Sequence, residues 1–577
     1  MKKYNWLAPF EQFVERKLTE IPPGKLYPRL LAFLIVLGYL PLLIPGIPNG
    51  HDTVYHIARL INLREGFRSG ILLPLINFDS LEGFGYGTGL FYSDLFFFPF
   101  GLISAAGVSP VVAYKLFLFV WGLLTAFSMY HVAKVISGRP FAGFASALLY
   151  CWSSYYATDV IIRGAIGEIM AFLFVPWCIL GLWIALYDES PKRSCLPLAL
   201  GYAGLFYSHN ITFVLMALIG GLVTLFNLPA LLRDVRRIGL FFRAGCLALA
   251  LAAFAAVPLL EQVSRLDYNL TQKPNTLQIS EFMIPFSRLF LELPYMKMTH
   301  YQPPGIGIIF VIVFLQRFRI KSFRTPQERF RDLCMTVGFA ALIAASEFLP
   351  WQGMMRALGS IQFPWRFFLP ATAFCAMGGG LLLGALLAGQ SAAMHRTWLW
   401  ILLCGCAFPW WFLHCYEYAA KFSEHEISWT VSREKAASCS TIGGHFLTRR
   451  NETEYDGLGG KAPVSSSNPD ARTEVRSPSR GKLEISFSGL EPGDSFEIPR
   501  IYYKGYRVET EEGGSIDLSE RGHFRFRPNA SSGTAIVYYS PTMLHRCGFC
   551  VSLLTLAGIG IGWLVKRKKA SGAAVTQ

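Results

Sequence analysis

Apolar runs long enough to approach a membrane crossing recur through most of the chain. The first covers about residues 30–47. A helix needs about 20 mostly apolar residues to cross a bilayer, and several runs are shorter than that. The pattern predicts about twelve transmembrane helices. The later runs cover about residues 111–136, 141–155, 167–187, 196–208, 210–229, 239–260, 304–318, 333–350, 366–388, 397–415 and 546–565.

Basic residues mark alternate junctions between these runs. Cytoplasmic loops of membrane proteins carry an excess of Lys and Arg, so the alternation predicts that both chain ends lie inside. The remaining junctions then form the outer face, and they carry almost every unusual polar motif. The basic junctions lie at about residues 16–29, 134–139, 192–193, 233–243, 317–331, 396 and 566–569.

Composition agrees with a polytopic membrane protein. The 577 residues are 53% hydrophobic and only 16% charged, and the mean hydropathy is +0.37. The formal net charge of +15 does not indicate nucleic-acid binding, because the basic residues cluster in short loops between apolar runs. Most of the 12 cysteines lie within apolar runs, so no disulfide framework follows.

The predicted fold is an α-helical membrane domain with a small external β domain. Helical spacing of apolar residues before the first run predicts an amphipathic helix on the cytoplasmic face. Period-two alternation near the carboxy terminus predicts antiparallel strands. The predicted segments are an interfacial helix at 1–29, a transmembrane domain at 30–415 with a large first external loop at 48–110, a loop-rich external segment at 416–480, a β domain at 481–543, and a last transmembrane helix with a basic tail at 544–577.

The first polar motif, GHDTVYHIAR at residues 50–59, follows the first apolar run. If the segment is helical, Asp52, His56 and Arg59 share one face. Charged groups at the end of a span are costly unless they lie in water or in a site, and Asp52 could act there as a general base. Alternatively, Asp52 caps the following helix while His56 and Arg59 face headgroups or water.

Two further outer motifs carry arginines. In VIIRGAIGE, Arg163 could hold a phosphate while Glu168 positions a cation or a sugar hydroxyl, or the two could form an internal salt bridge. In QFPWRF, Arg366 could contact a phosphate at the mouth of a lipid-lined groove, or it could snorkel to the headgroups. His209 and Asn210 lie between two runs, where turn formation and capping are favoured.

Aromatic residues and known cofactor-binding motifs say less about the candidate site. Tyr86 and Tyr92 could stack on a sugar ring, although aromatic belts at membrane interfaces also collect such residues. The sequence carries no Walker loop, HExxH helix or dinucleotide fingerprint. ATP and structural zinc therefore have no visible site.

Taken together, the motifs resemble a known family. The elements are GHDTVYHIAR, GYG, FYSD, YYATDVIIRGAIGE, SHNIT and QFPWRF, followed by IPRIYYKGYRVETEEGG and RGHFRFRPNASSGTAIVYYSPT before the last run. Their order and common outer location resemble the bacterial PTPS-related or YfhO-like membrane proteins, which belong to the GT-C glycosyltransferase superfamily.

The resemblance implies an activity, a compartment and partners. The donor would be a polyprenyl-phosphate-sugar, and the acceptor an envelope glycan or lipid on the outer face of the bacterial cytoplasmic membrane. An acidic residue of the first external loop serves as base in GT-C enzymes, and Asp52 matches it; Glu168 matches a second acidic position. Many members have another acid before the base, but His51 stands there in this chain, which leaves a divalent metal cofactor open.

The implied reaction is a single in-line displacement at the anomeric carbon, with inversion. Asp52 would take the acceptor proton, while Arg163, Arg59 and Arg366 are candidates to stabilise the leaving lipid phosphate. His51, His56, His209, Tyr86 and Tyr92 complete the candidate substrate-binding set.

Two alternatives remain. A transporter or flippase of lipid-linked saccharides would also have about twelve spans, but transporters place polar sites near the bilayer midplane, often between related halves. The polar motifs here lie at outer span ends, and the halves look unrelated. Alternatively, the β domain could bind carbohydrate with the membrane part as its anchor, although one span would suffice for that.

Overall fold

Helices make up most of the chain that the computed structural model describes. The described residues are 21–189, 194–264, 268, 282–290, 305–320, 325–351, 353–354, 361–423, 427–428, 431, 447 and 464–575. The amphipathic pattern expected before the first span falls largely on residues 1–20, outside these ranges. The helix that contains the first apolar run begins at Pro23, earlier than the expected start at about residue 30. Proline is well tolerated in the first helical turn.

The helices are numbered in chain order. They are α1 (Pro23–Gly38), α2 (Thr53–Arg68), α3 (Thr88–Phe91), α4 (Phe98–Ala105), α5 (Pro110–Ser137), α6 (Pro140–Cys151), α7 (Ser154–Ala157), α8 (Ile166–Leu186), α9 (Leu196–Ser208), α10 (Asn210–Phe226), α11 (Leu228–Arg233), α12 (Val235–Val263), α13 (Ile309–Leu315), α14 (Pro326–Ala345), α15 (Phe368–Leu386), α16 (Ala392–Leu402), α17 (Phe408–Ser423) and α18 (Met543–Val575).

The strands are also numbered in chain order. They are β1 (Ile47–Pro48), β2 (Ile427–Ser428), β3 (Ser465–Ser466), β4 (Arg472–Ser479), β5 (Lys482–Ser488), β6 (Phe496–Ile501), β7 (Tyr506–Glu509), β8 (Gly514–Leu518), β9 (His523–Pro528) and β10 (Gly533–Tyr539).

Within the described residues, 6 helices are long and apolar enough to cross a membrane. The expected count of about twelve is therefore not confirmed. Several apolar runs instead form shorter helices, which at 1.5 Å per residue do not reach across a hydrocarbon core of about 30 Å. The six are Pro110–Ser137, Ile166–Leu186, Val235–Val263, Pro364–Leu386, Ala392–Phe422 and Met543–Arg567, and the shorter apolar helices are Leu95–Ala105, Pro140–Cys151, Leu196–Ser208 and Asn210–Phe226.

The chain forms two units, of which the first contains most of the apolar helices. The first unit comprises residues 1–53, 115–248 and 273–429, and the second comprises 54–114, 249–272 and 430–577. In the first unit, α6 and α15 approach closely through small residues. A Cβ on Gly380 would lie 1.9 Å from Ser146 Oγ, and one on Gly384 would lie 2.5 Å from Ala142 Cβ. Small residues allow this backbone proximity in membrane helices.

The second unit contains two antiparallel four-stranded sheets, with strand orders β4-β5-β10-β7 and β3-β6-β9-β8. Alternate residues of β5 are buried, as its period-two pattern predicts. The core between the sheets continues into the first external loop, where Phe84, Tyr86 and Phe91 are buried in the same cluster. Tyr86 is 0% exposed, which favours packing over the predicted sugar contact.

Strands β3 and β4 lie inside the segment 416–480, which was expected to be loop-rich. Strand β4 pairs with β5 at the edge of its sheet, and nearly all of its residues are exposed. A strand exposed on both faces carries no apolar alternation, so the sequence pattern gave no sign of it.

A partly buried ion pair attaches the β domain to the first external loop within the second unit. Arg480, which follows β4, donates through Nη1 to Asp79 Oδ2 at 2.6 Å and through Nη2 to Asn62 Oδ1 at 3.2 Å. The side chains of Arg480 and Asp79 are only 8% and 20% exposed. The arginine therefore ties the β domain to α2 and to the loop that follows it.

Arg480→Gln should destabilise this attachment by about 1–3 kcal/mol, because it removes a charged hydrogen bond to the mostly buried Asp79 carboxylate. Hydrogen exchange of the backbone amides in residues 75–91 should become faster. The matched control is Arg476→Gln on β4, whose ion pair with Glu474 is 72% and 65% exposed and should be dispensable. Equal exchange rates in the two variants would contradict this role for Arg480.

Candidate functional site

A distorted turn between α6 and α8 creates the polar centre of the first unit. Helix α7 runs into a π-helical segment, Thr158–Arg163, which ends at Gly164 with φ 63°. A Cβ on Gly164 would lie 2.3 Å from Thr53 Oγ1, so both the left-handed backbone and the contact require glycine. Isolated π-helical turns are frequent at functional sites.

This turn gathers one arginine between two buried carboxylates. Arg163 donates through Nη1 to Asp159 Oδ1 at 2.5 Å and through Nη2 to Glu168 Oε1 at 3.1 Å. The hydroxyl of Tyr155 donates to the second oxygen of Glu168. The internal salt bridge considered for Arg163 and Glu168 is therefore present, and it holds both side chains in place.

Asp52 lies against the same turn, directly before α2. Its backbone N–H donates to the carbonyl of Arg163 at 2.8 Å, and its side chain is half-buried. Burial raises the pKa of Asp52 above its ordinary value of 3.8; the charges of Arg163 and Arg366 lower this pKa in part, and Glu168 raises it. The carboxyl of Asp52 thus shares its surroundings with both arginines.

The shared helical face expected for Asp52, His56 and Arg59 is wrong, because α2 begins only at Thr53. His56 and Arg59 instead have their contacts in the second unit. Arg59 Nε donates to Asp94 Oδ1 at 2.8 Å, and Arg59 Nη1 lies 3.1 Å from His56 Nδ1.

Arg59 also contacts Ser93 and Tyr92, in addition to Asp94 and His56. It donates to the Ser93 carbonyl at 3.0 Å, and its guanidinium lies 4.3 Å from the ring centre of Tyr92. With Asp94 neutralising its charge, Arg59 has the surroundings of a structural residue, and so does the Tyr92 ring beneath it.

Arg366 approaches Glu168 from the start of α15. Its Nη1 donates to the Ile361 carbonyl at 2.8 Å and to Gln362 Oε1 at 2.9 Å, and its Nε lies 3.8 Å from Glu168 Oε1. Gln362 has φ 66°, an uncommon conformation for a residue other than glycine. The Arg366 Nε is buried without a hydrogen-bond partner. These contacts favour a site residue over snorkelling.

Two of the three histidines in the candidate set, His51 and His209, lie in the field of Arg163 and have lowered pKa values. His209 caps α10, because its Nδ1 accepts from the Thr212 N–H at 3.4 Å. Burial lowers the pKa of His209 to about 3, with Glu168 opposing and Arg366 and Arg163 reinforcing the shift. Burial and then Arg163 lower the pKa of His51 to about 4.

Two residues that the sequence reasoning did not select also belong to this cluster. Asp159 is 0% exposed, and its Oδ2 has no hydrogen-bond partner. Tyr155 orients Glu168. The spacing of four residues between Asp159 and Arg163 was the available signal, since such pairs face each other on a helix. Asn210, which follows His209 in the chain, also has a buried side-chain oxygen without a hydrogen-bond partner.

Three of the four carboxylate oxygens of Asp159 and Glu168 already accept hydrogen bonds, which disfavours their use as ligands of a divalent metal ion. Both oxygens of Glu168 are engaged, by Arg163 and Tyr155, and Asp159 Oδ1 is engaged by Arg163. Among the described residues, no group of three or more His, Cys, Asp or Glu side chains could hold a metal. The arginines occupy the positions beside these carboxylates where a cation would lie.

Comparison with known proteins gives distant similarities. No family model matches the chain. A protein of Lactococcus lactis subsp. cremoris (strain MG1363), described as uncharacterized, is 22% identical over 335 residues, which is 56% of this chain and 54% of that protein. The chain thus matches about half the length of this relative.

Among solved structures, the arabinofuranosyltransferase AftD from Mycobacteria has a TM-score of 0.42 at 13% identity, covering 66% of this chain and 26% of that chain. The Archaeoglobus fulgidus oligosaccharyltransferase, solved with a tethered acceptor peptide, has a TM-score of 0.40 at 13% identity, covering 72% and 56%. Both are glycosyltransferases by name. With TM-scores below 0.5, the activity of this chain has to be inferred from its own residues.

Arg163→Gln should lower the free energy of unfolding by about 3–5 kcal/mol, because it leaves Asp159 and Glu168 buried without their shared cation. Thermal unfolding of the detergent-purified protein would measure the loss. As a control, Arg64→Gln removes an ion pair to Glu65 whose side chains are both 21% exposed, and we expect at most about 1 kcal/mol. Similar unfolding temperatures for both variants would contradict a central role for Arg163.

Proposed function

We propose that the protein is a membrane glycosyltransferase of the GT-C type. It transfers a sugar from a polyprenyl-phosphate-sugar donor to an envelope glycan or lipid on the outer face of the bacterial cytoplasmic membrane. The observation that carries the proposal is the half-buried Asp52 carboxyl in one electrostatic cluster with Arg163 and Arg366. This cluster combines a candidate base with candidate phosphate ligands.

Asp52 acts as the general base. An acceptor hydroxyl loses its proton to the Asp52 carboxylate while its oxygen attacks the anomeric carbon. The bond from that carbon to the phosphate oxygen breaks on the opposite side, so the configuration inverts and the lipid phosphate leaves as an anion. A raised pKa makes Asp52 a stronger base than an exposed aspartate, and it remains deprotonated as long as that pKa stays below the working pH.

The two arginines have different parts in this reaction. Arg163 already has two carboxylate partners, so it mainly positions Asp159 and Glu168. Arg366 has only the longer ion pair of 3.8 Å to Glu168 and keeps its Nε–H without a hydrogen bond. Arg366 is therefore the better candidate to bind the leaving phosphate, whose developing charge a fixed cation stabilises.

Buried oxygens without partners favour a polyhydroxyl ligand. Asp159 Oδ2 and Asn210 Oδ1 can each accept a hydrogen bond that no protein group supplies. Sugar hydroxyls are the donors that such acceptors would bind. Neutral His51 has no charge to offer the phosphate, but it can exchange hydrogen bonds with a sugar or the acceptor. The apolar helices give the polyprenyl tail a place in the bilayer.

Asp52→Asn should reduce kcat by about 10²–10⁴-fold, because the amide cannot take the acceptor proton. The full-length protein in detergent would be given short-chain polyprenyl-phosphate sugars and candidate acceptors, and sugar transfer would be measured with the KM for the donor. The KM should change little, and the control Asp470→Asn, on an exposed turn, should retain activity. Unchanged turnover in Asp52→Asn would overturn the assignment of Asp52 as the general base. If the protein in vesicles moves the donor lipid across the membrane but transfers no sugar to an acceptor, the result would indicate a transporter instead.

The pH dependence of kcat/KM should report the Asp52 pKa. Because the base works only when deprotonated, activity should rise with pH through that pKa, at a higher pH than the ordinary value of 3.8. Arg366→Gln removes a charge that lowers this pKa, so the rise should move to still higher pH. If kcat/KM rises at the same pH in Arg366→Gln as in wild type, the result would contradict the electrostatic coupling between Arg366 and Asp52.

A further inference from the structure

A second arginine of the first unit, Arg331 near the start of α14, is buried with unmet hydrogen-bonding capacity. The residue is 1% exposed. Its Nε donates to Asp332 Oδ1 at 2.8 Å, whereas Nη1 and Nη2 are buried without any hydrogen-bond partner. The outer fork of this guanidinium therefore presents donors that no protein atom uses.

The neighbouring carboxylate cannot neutralise this group alone. Asp332 accepts from Arg317 Nε and Nη2, both at 2.9 Å, in addition to its bond from Arg331. Two guanidinium groups thus share the Asp332 carboxylate, so Arg331 shares its counterion with Arg317. A buried charge that is only partly compensated is costly, so this arrangement favours an anion at the Nη groups of Arg331.

The chemistry of the fork selects the kind of anion. A guanidinium with two free Nη groups matches two oxygens of a phosphate or a carboxylate through parallel hydrogen bonds. Trapped water could satisfy the N–H groups, but it carries no negative charge to pair with the guanidinium. The fork is therefore built for an oxyanion.

This cluster lies at the opposite end of the helix pair α14 and α15 from Arg366. A Cβ on Gly338 would lie 2.5 Å from Cys375 Sγ, and one on Gly378 would lie 3.2 Å from the Arg331 carbonyl, so the two helices run antiparallel. Gly378 is 12 residues after Arg366, which corresponds to about 18 Å along a helix. The anion site is thus separate from the Asp52 cluster.

The surroundings resemble a membrane interface on the predicted cytoplasmic side. Phe330, next to Arg331, packs edge-on against Trp183 and Tyr187 at 5.2 Å between ring centres. Trp and Tyr collect where the bilayer meets water, and the basic junction at 317–331 is predicted to lie inside. Phosphate groups are the abundant oxyanions at that depth.

We propose that Arg331, assisted by Arg317 and Asp332, binds a phosphate group at the cytoplasmic end of α14. The phosphate belongs either to an anionic lipid headgroup or to a soluble phosphate species. The proposal does not depend on the glycosyltransferase activity, because it uses none of the residues assigned to that reaction.

The test uses the full-length protein in nanodiscs. Thermal unfolding is compared in phosphatidylcholine alone, in phosphatidylcholine with inorganic phosphate, and in phosphatidylglycerol mixtures, with sodium chloride matching the ionic strength. The variants are Arg331→Gln, which removes the fork, and Arg331→Lys, which keeps the charge but not the fork. The control is Arg329→Gln, an exposed arginine on the same helix.

We expect phosphate or phosphatidylglycerol to raise the unfolding temperature of wild type and Arg329→Gln. Apparent affinity should fall about tenfold in Arg331→Lys and further in Arg331→Gln. A response to inorganic phosphate identifies a soluble ligand, and a response to phosphatidylglycerol alone identifies a lipid. If neither stabilises wild type, or if Arg331→Lys responds as fully as wild type, the fork holds only water and the proposal fails. The wild-type result decides even if Arg331→Gln does not fold.

Discussion

The candidate site depends on one electrostatic constraint, the need to hold several carboxylates inside an apolar helical unit. Asp159 and Glu168 are buried almost completely, and Arg163 compensates both of them. Without this arginine, one of the acids would have to be protonated or move to solvent. Because the Arg163 carbonyl also accepts the Asp52 N–H, the same residue places the candidate base. The positions of the three acids are therefore coupled through a single side chain and its backbone.

Close helix packing makes this arrangement rigid. The π-helical segment that ends at Gly164 replaces a regular helical turn and points Asp159 and Arg163 toward each other. Helix α15, which brings Arg366 to Glu168, packs on α6 through Gly380 with no space for a larger side chain. In membrane helices, such small residues replace the hydrophobic driving force that packs soluble proteins. The polar centre is thus held by backbone contacts that tolerate little displacement.

Some of this organisation could be predicted from the sequence. The apolar runs predicted a helical membrane protein. The alternation of basic junctions predicted one common face for Arg163, Glu168 and Arg366, and these three side chains do lie together. Helix ends were less predictable, because a proline or a glycine sets them locally; the start of α2 at Thr53 is why the shared face of Asp52 and His56 was wrong. Asp159 was missed although its spacing of four residues from Arg163 suggested a pair, because Arg163 was matched only with Glu168. Strand β4 was missed because it buries almost nothing.

The balance of donors and acceptors separates structural from ligand-binding arginines. Arg59 has a full set of partners in Asp94, Ser93 and the Tyr92 ring, so nothing is left to bind a ligand. Arg366 is anchored by Ile361, Gln362 and Glu168, and Arg331 by Asp332, yet each keeps buried N–H groups without partners. Because buried donors without partners are costly, a bound anion would lower their free energy. Arg366 precedes α15 and Arg331 lies on α14 beside the other end of α15, so the same unmet hydrogen-bonding capacity recurs at two separate places in the first unit.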